Sequence, residues 1–122
     1  MSVPTQHVAA LVAASFEASA AALRQPDQEA HVFLTEHSDT EIVVSLEVSR
    51  SGGDWQRNLI VALEPGRTDW IVEVRITDDE QLSIAQVGHA EVAADELADV
   101  ALAMARAGVA RLSKESTPSA VA

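Results

Sequence analysis

The chain has 122 residues, with 19 Asp and Glu against eight Lys and Arg, and its formal net charge is −11 at pH 7. This length fits one domain with a single core, and the charge opposes lasting contact with phosphate backbones or anionic membranes. The lack of cysteine excludes disulfides, thiolate zinc sites and cysteine nucleophiles. Because there is neither a membrane-length apolar run nor a signal-peptide pattern, we expect a cytoplasmic protein that binds neither nucleic acid nor membrane.

A helix is predicted over residues 5–24, because apolar side chains recur there at helical spacing until Pro26 stops the pattern. Thr5 is its expected N-cap. Most other positions of this segment are alanine, which favours the helix and also permits close approach of a second helix. The alanine-rich surface is therefore one candidate for contact between two copies of the chain.

The middle of the chain changes to a period of two, the pattern of strands with one buried face. The predicted strands cover residues 31–36, 41–49, 57–63, 69–77 and 82–87. Short polar connections join them: Gly52 and Gly53 suit a hairpin loop with positive φ, and Pro65 followed by Gly66 suits a type II turn. Consecutive strands with such connections predict an antiparallel meander.

A second helix is predicted over residues 94–112, with acidic residues in its first turns, where anions are favoured. The segment 113–122 has no apolar periodicity and is expected to be a mobile tail after a single domain of residues 1–112. The order helix, four to five strands, helix predicts an α+β fold: a two-layer sandwich with both helices packed on one face of the meander.

The sheet face opposite those helices is predicted to be a docking surface. The period of two places apolar side chains among the acids of this face, and the candidate partner-binding residues are Val43, Glu47, Ile60, Ile71, Glu73 and Arg75. An apolar centre supplies affinity, and acidic surroundings select a basic protein partner. The first hypothesis is therefore a non-catalytic protein-binding module, physically comparable to immunity proteins, inhibitors or chaperones. Homodimerisation through this face or the alanine-rich helix is a further expectation.

The alternative hypothesis is a small enzyme or ligand-binding domain that uses His37, Asp39 and His89. His37 and Asp39 pair a base with a carboxylate, and His89 would share a face with Glu91 if that segment is extended, with His31 as a further metal ligand from elsewhere in the fold. No nucleophile elbow or paired metal-ligand spacing accompanies them. We therefore expect no catalytic residue, metal or cofactor. Nucleic-acid mimicry, a third hypothesis, requires acids spaced like phosphates.

The two tryptophans have separate interpretations. Trp70 alternates in register with Val72 and Val74, which predicts a core position. Trp55 follows the glycine loop and either caps one end of the core or stands exposed as an anchor.

Overall fold

The architecture comes from a computed structural model, which describes residues 4–36, 41–53, 55–80 and 82–116. The elements are α1 (Pro4–Leu23), β1 (Gln28–Glu36), β2 (Ile42–Arg50), β3 (Gln56–Pro65), β4 (Trp70–Thr77), β5 (Ser83–Val92) and α2 (Leu97–Ser116). The strands form one antiparallel sheet in chain order, with α1 mainly over β1 and β2 and α2 over β3 to β5. The predicted α+β arrangement is confirmed. Within the described ranges, no helix is long and apolar enough to cross a membrane.

The core lies between the two helices and one face of the sheet. Its largest fully buried side chains are Phe16, Ile42, Leu46, Leu59, Leu63, Ile76, Leu97 and Leu112. Helix α2 lies close to the centre of the sheet: a Cβ added at Gly108 would be only 2.5 Å from Cδ1 of Leu59. Glycine at this position permits the close approach.

The start of α1 differs from the prediction. The helix begins at Pro4, so Thr5 lies inside the first turn, where it is fully buried. The prediction that Thr5 is the N-cap is therefore wrong. Proline suits the first helical position, since its missing N–H would have had no partner within the helix. At the other end, the Nε2 of Gln28 donates a hydrogen bond to the carbonyl of Leu23 at 2.6 Å. Strand β1 therefore starts three residues earlier than expected, directly after the turn that ends α1.

The end of α2 also differs. The helix continues to Ser116, so residues 113–116 of the predicted tail are helical and the predicted boundary at 112 is too early. Tertiary contacts explain the extra turn, because Leu112 is fully buried and Glu115 lies 3.6 Å from the Nε of Arg57 on β3. Residues 117–122 lie outside the described residues.

Two connections test the predicted turn chemistry. Gly52 and Gly53 have φ values of 99° and 73°, as expected for the loop between β2 and β3. Gly66 lacks the positive φ that its position in a type II turn requires, so that prediction is wrong. The connection between β3 and β4 instead closes through the N–H of Gly66, which donates to the carbonyl of Asp69 at 2.7 Å.

Both tryptophans pack against the core and are partly buried. Trp55 lies at one end of the sheet, where the guanidinium carbons of Arg50 and Arg57 approach its ring centroid at 4.8 and 5.2 Å. This geometry is that of cation–π contacts. Trp55 therefore caps the core and is itself covered by two cations.

Candidate docking surface

The face of the sheet opposite the helices, called the outer face below, is left open by both helices of the described fold. Strand alternation brings six predicted binding residues to it: Val43, Glu47, Ile60, Ile71, Glu73 and Arg75. Arg75 is exposed and the other five are half-buried. Their neighbours within the strands face the helices and are buried, as the alternating burial of β2, β3 and β4 shows.

The apolar members of the outer face are neighbours. Val43 lies directly opposite Ala62 across β2 and β3, and Ile60 follows on the same side of β3. Ile71 on β4 is diagonal to Ala62. Directly opposed and diagonal side chains on one sheet face are within contact range. These four residues therefore form one continuous apolar strip across three strands.

Phe33 extends this strip and was not among the predicted site residues. Phe33 lies on β1 and pairs with Ser45 on β2, so it is diagonal to Val43 of β2. Its side chain is 49% exposed. Its ring centroid lies 6.4 Å from that of His31. The sequence does not indicate which face of the sheet Phe33 occupies, because Val32, Phe33 and Leu34 are consecutive apolar residues with no alternation between them.

The outer face is strongly acidic. Its glutamates are Glu29, Glu41, Glu47, Glu64, Glu73 and Glu91. The chain's eight Lys and Arg residues all fall within the described ranges, and of these only Arg75 is on this face, with its Nη1 3.2 Å from Oε1 of Glu73. The exposed cations Arg106, Arg111 and Lys114 lie on α2, in the other layer. The helix layer also carries acids, among them the exposed Asp95, Glu96 and Asp99, so it presents both signs of charge while the outer face is mainly negative.

One glutamate of the outer face, Glu64, has a shifted pKa. The pKa of Glu64 is raised above its ordinary value of 4.5, mainly because its side chain hydrogen-bonds to Glu41. Two carboxyl groups form that bond only when one of them carries a proton. Partial burial and the negative charges of Glu41 and Glu73 raise the pKa further, whereas His89 lowers it. Glu41, Glu64 and Glu73 thus concentrate negative charge on the outer face.

The structure describes only some of the residues of the catalytic and metal hypotheses. His37 and Asp39 lie outside the described residues. His89 and Glu91 do share the outer face, since β5 is extended through both. His31 lies on β1, at the opposite edge of the sheet, about 19 Å away at the usual strand spacing. The metal arrangement that includes His31 is therefore wrong, and the described part of the chain contains no group of three or more His, Asp and Glu residues placed to hold a metal.

Comparison of the chain with protein-family models, with curated proteins and with solved structures finds no match in any of the three.

Proposed function

We propose that this protein is a non-catalytic binding module that recognises a basic protein partner through its outer face. The observation that carries the proposal is the open sheet face, on which an apolar strip is surrounded by six glutamates and one arginine. No catalytic residue or cofactor is part of this function. The proposed activity is inhibition or chaperoning of the bound partner, as in immunity proteins and dedicated chaperones.

The two components of the surface have different roles in binding. The strip of Val43, Ile60, Ala62 and Ile71, extended by Phe33, supplies apolar area that a partner removes from water. Half-buried aliphatic groups at the centre of an interface contribute most when a rim excludes water from them. The glutamates attract a cationic surface and accelerate its encounter. Arg75 is already paired with Glu73, so it opposes a basic partner less than an unpaired cation would.

The charges on the helix layer and on the outer face support docking of a basic partner at the outer face. A basic partner approaching the α2 side meets the exposed cations Arg106, Arg111 and Lys114, whose charges offset those of the acids at the start of the helix. The same partner approaching the outer face meets carboxylates, one of which, Glu64, is under mutual repulsion with Glu41. Opposite charges steer the encounter toward the outer face.

Affinity capture with a charge-matched control tests this proposal. The tagged wild type, Glu47→Lys and Glu17→Lys are each incubated with lysate of the cells that produce the protein, and bound proteins are identified by mass spectrometry after low-salt and moderate-salt washes. Glu47 lies on the outer face, whereas Glu17 is exposed on α1, and the two reversals change the net charge equally.

The expected result is a stoichiometric basic protein that the wild type and Glu17→Lys retain and that Glu47→Lys loses. Moderate salt should lower its recovery, because the attraction is screened. Equal recovery by the two variants, or no basic protein bound to the wild type in either wash, contradicts the proposal.

A further inference from the structure

The two edge strands of the sheet differ in regularity. Strand β5 pairs with β4 through two register shifts, near Val74/Arg75 and near Ile76/Thr77. Such irregularities discourage pairing with another chain. Strand β1 pairs with β2 without interruption from Gln28 to Glu36. The edge at β1 is therefore the one suited to accept a further strand.

Hydrogen bonds at the start of β1 show which residues turn their backbone groups outward. The N–H and carbonyl of Gln28 both bond to Gln25, at 3.0 Å, and so point away from β2. In an antiparallel ladder this direction repeats at every second residue. Consistently, the carbonyl of Ala30 accepts a bond from Nε of Arg24 at 3.1 Å. Beyond Ala30, the outward backbone groups belong to Val32, Leu34 and Glu36, and among the described residues no element covers them.

The side chains in the second half of β1 are also largely exposed. Burial along β1 declines from Gln28 and Ala30 to a half-buried Val32 and then to exposed residues. Phe33 is 49% exposed on the outer face and Leu34 is 46% exposed on the helix side. Apolar groups thus stand on both sides of an open backbone edge.

We propose that β1 pairs antiparallel with β1 of a second copy of this chain, with Phe33 opposite Phe33 on a two-fold axis. Because the backbone groups of Phe33 bond to β2, the two phenylalanines form a non-hydrogen-bonded pair, in which side chains are closest. On each side of it, Val32 of one copy exchanges two hydrogen bonds with Leu34 of the other. The result is a continuous ten-stranded sheet.

Charge and polarity favour a second copy in this register. Glu36 of one copy lies opposite Ala30 of the other, whose carbonyl is bound by Arg24. Each carboxylate therefore approaches a guanidinium of the second copy. Moving the axis by one residue, to Leu34, would instead place Glu36 against Val32. That arrangement opposes a carboxylate to an apolar side chain and loses the contact with Arg24.

The dimer would extend the outer face and is independent of the proposed function. A two-fold axis perpendicular to the sheet keeps both outer faces on the same side, and all four helices lie on the other. The contact uses the β1 edge and shares only Phe33 with the apolar strip, whereas Leu34, the residue changed to disrupt the edge, lies on the helix side. Loss of the dimer and loss of partner binding are therefore separable outcomes.

Cysteine cross-linking tests the register. The chain contains no cysteine, so Phe33→Cys and Thr35→Cys each introduce a single thiol. Opposed positions in a non-hydrogen-bonded pair have the spacing that a disulfide needs, whereas the two thiols of a Thr35→Cys dimer would be separated by four residues, or about 13 Å. Under mild oxidation, Phe33→Cys should form a disulfide-linked dimer and Thr35→Cys should not. Equal cross-linking of the two variants, or none in either, overturns the proposed register.

A pair of lysine variants tests the edge without requiring a disulfide. Leu34→Lys on β1 and Ile84→Lys on β5 replace residues of similar exposure, 46% and 43%. Light scattering at about 100 µM should give a dimer mass for the wild type and Ile84→Lys, and at least about a tenfold weaker association for Leu34→Lys. Circular dichroism confirms that each variant is folded. A monomeric wild type, or equal dissociation by the two lysines, overturns the proposal, and the cysteine variants decide it if Leu34→Lys fails to fold.

Discussion

Alternate residues of β3 lie in two very different environments. Leu59, Val61 and Leu63 face the helices and are fully buried. Ile60 and Ala62, which lie between them in the sequence, face outward and are half-buried among glutamates. All five are aliphatic, so hydrophobicity alone does not separate the two faces.

Charge separates them instead. In the central rows of the sheet, the residues that face the helices are uncharged, and Arg50, Arg57 and Glu36 occur only at the sheet's ends. An ionised carboxylate in the core would lose its hydration without a compensating partner. In the central rows, glutamates are therefore confined to the face that meets water or a partner. An apolar residue has no such restriction, which is why the outer face can also carry an apolar strip.

The largest expected difference between the faces is in stability. Leu59→Ala should lower the free energy of unfolding by about 3–5 kcal/mol, because it leaves a cavity beneath α2. Ile60→Ala, one residue away, should cost roughly 1 kcal/mol or less, since the side chain is only half-buried and opens no enclosed cavity. Urea unfolding of both variants measures the contrast. Equal losses would show that the outer face is as tightly packed as the core.

The next largest effect is on partner binding. Ile71→Ser should weaken binding of the basic partner by about thirtyfold, equivalent to about 2 kcal/mol at a central apolar contact. Leu11→Ser, which changes an exposed leucine of α1, should leave the affinity unchanged. Calorimetry with the captured partner compares them. A similar loss for both variants would place the binding surface elsewhere.

A smaller effect concerns the close contact between α2 and the inner face. In Gly108→Ala the new methyl group would meet Leu59 at 2.5 Å, and overpacking of this kind costs about 1–3 kcal/mol. The gain in helix propensity is about 1 kcal/mol, so a modest net destabilisation is expected.

Gly88→Ala is the matched control for this contact. Its methyl group would meet the Sδ of Met104 at 2.8 Å, and that flexible side chain can move aside. Gly88→Ala should therefore cost less than Gly108→Ala in thermal unfolding. A more stable Gly108→Ala would show that Leu59 can also move aside.

The smallest predicted effect depends on pH. The pKa of Glu64 is raised in the folded protein, so the folded state binds this proton more tightly than the unfolded state. The stabilising contribution is complete below 4.5 and is lost as the pH rises through the folded-state pKa. Glu64→Gln should therefore melt at a higher temperature than the wild type at pH 7, and the difference should shrink below pH 4.5.

Glu17→Gln on α1 is the control for this titration, because it removes the same charge from the helix layer. It should change the melting temperature less than Glu64→Gln at pH 7. A Glu64→Gln variant whose advantage stays constant with pH would contradict the assigned repulsion with Glu41.

The sequence predicted this fold well where local pattern and tertiary structure agree. The alternation in β2, β3 and β4 was sufficient to assign both faces and to bring Val43, Ile60 and Ile71 to the same side. The prediction failed at the ends of elements, where pairing with a neighbouring strand extends a strand beyond its own local pattern. Strand β5 continues through Val92 because it pairs with β4 as far as Trp70.

Phe33 shows the same limit for the candidate site. Its own segment has consecutive apolar residues, so no local pattern assigns it to the outer face. Its pairing with Ser45 on β2 does so. A residue on an edge strand depends on a single neighbouring strand for its orientation.

The sequence by itself determined the class of fold, the acidic character and the division of the central strands into an apolar and a glutamate-bearing face, because these depend on periodicity and on the cost of burying charge. Only the tertiary structure decided which apolar residues join into a strip, which carboxylates repel each other and which edge of the sheet stays open. Those properties depend on strand register and helix placement, which are set by contacts between residues far apart in the chain.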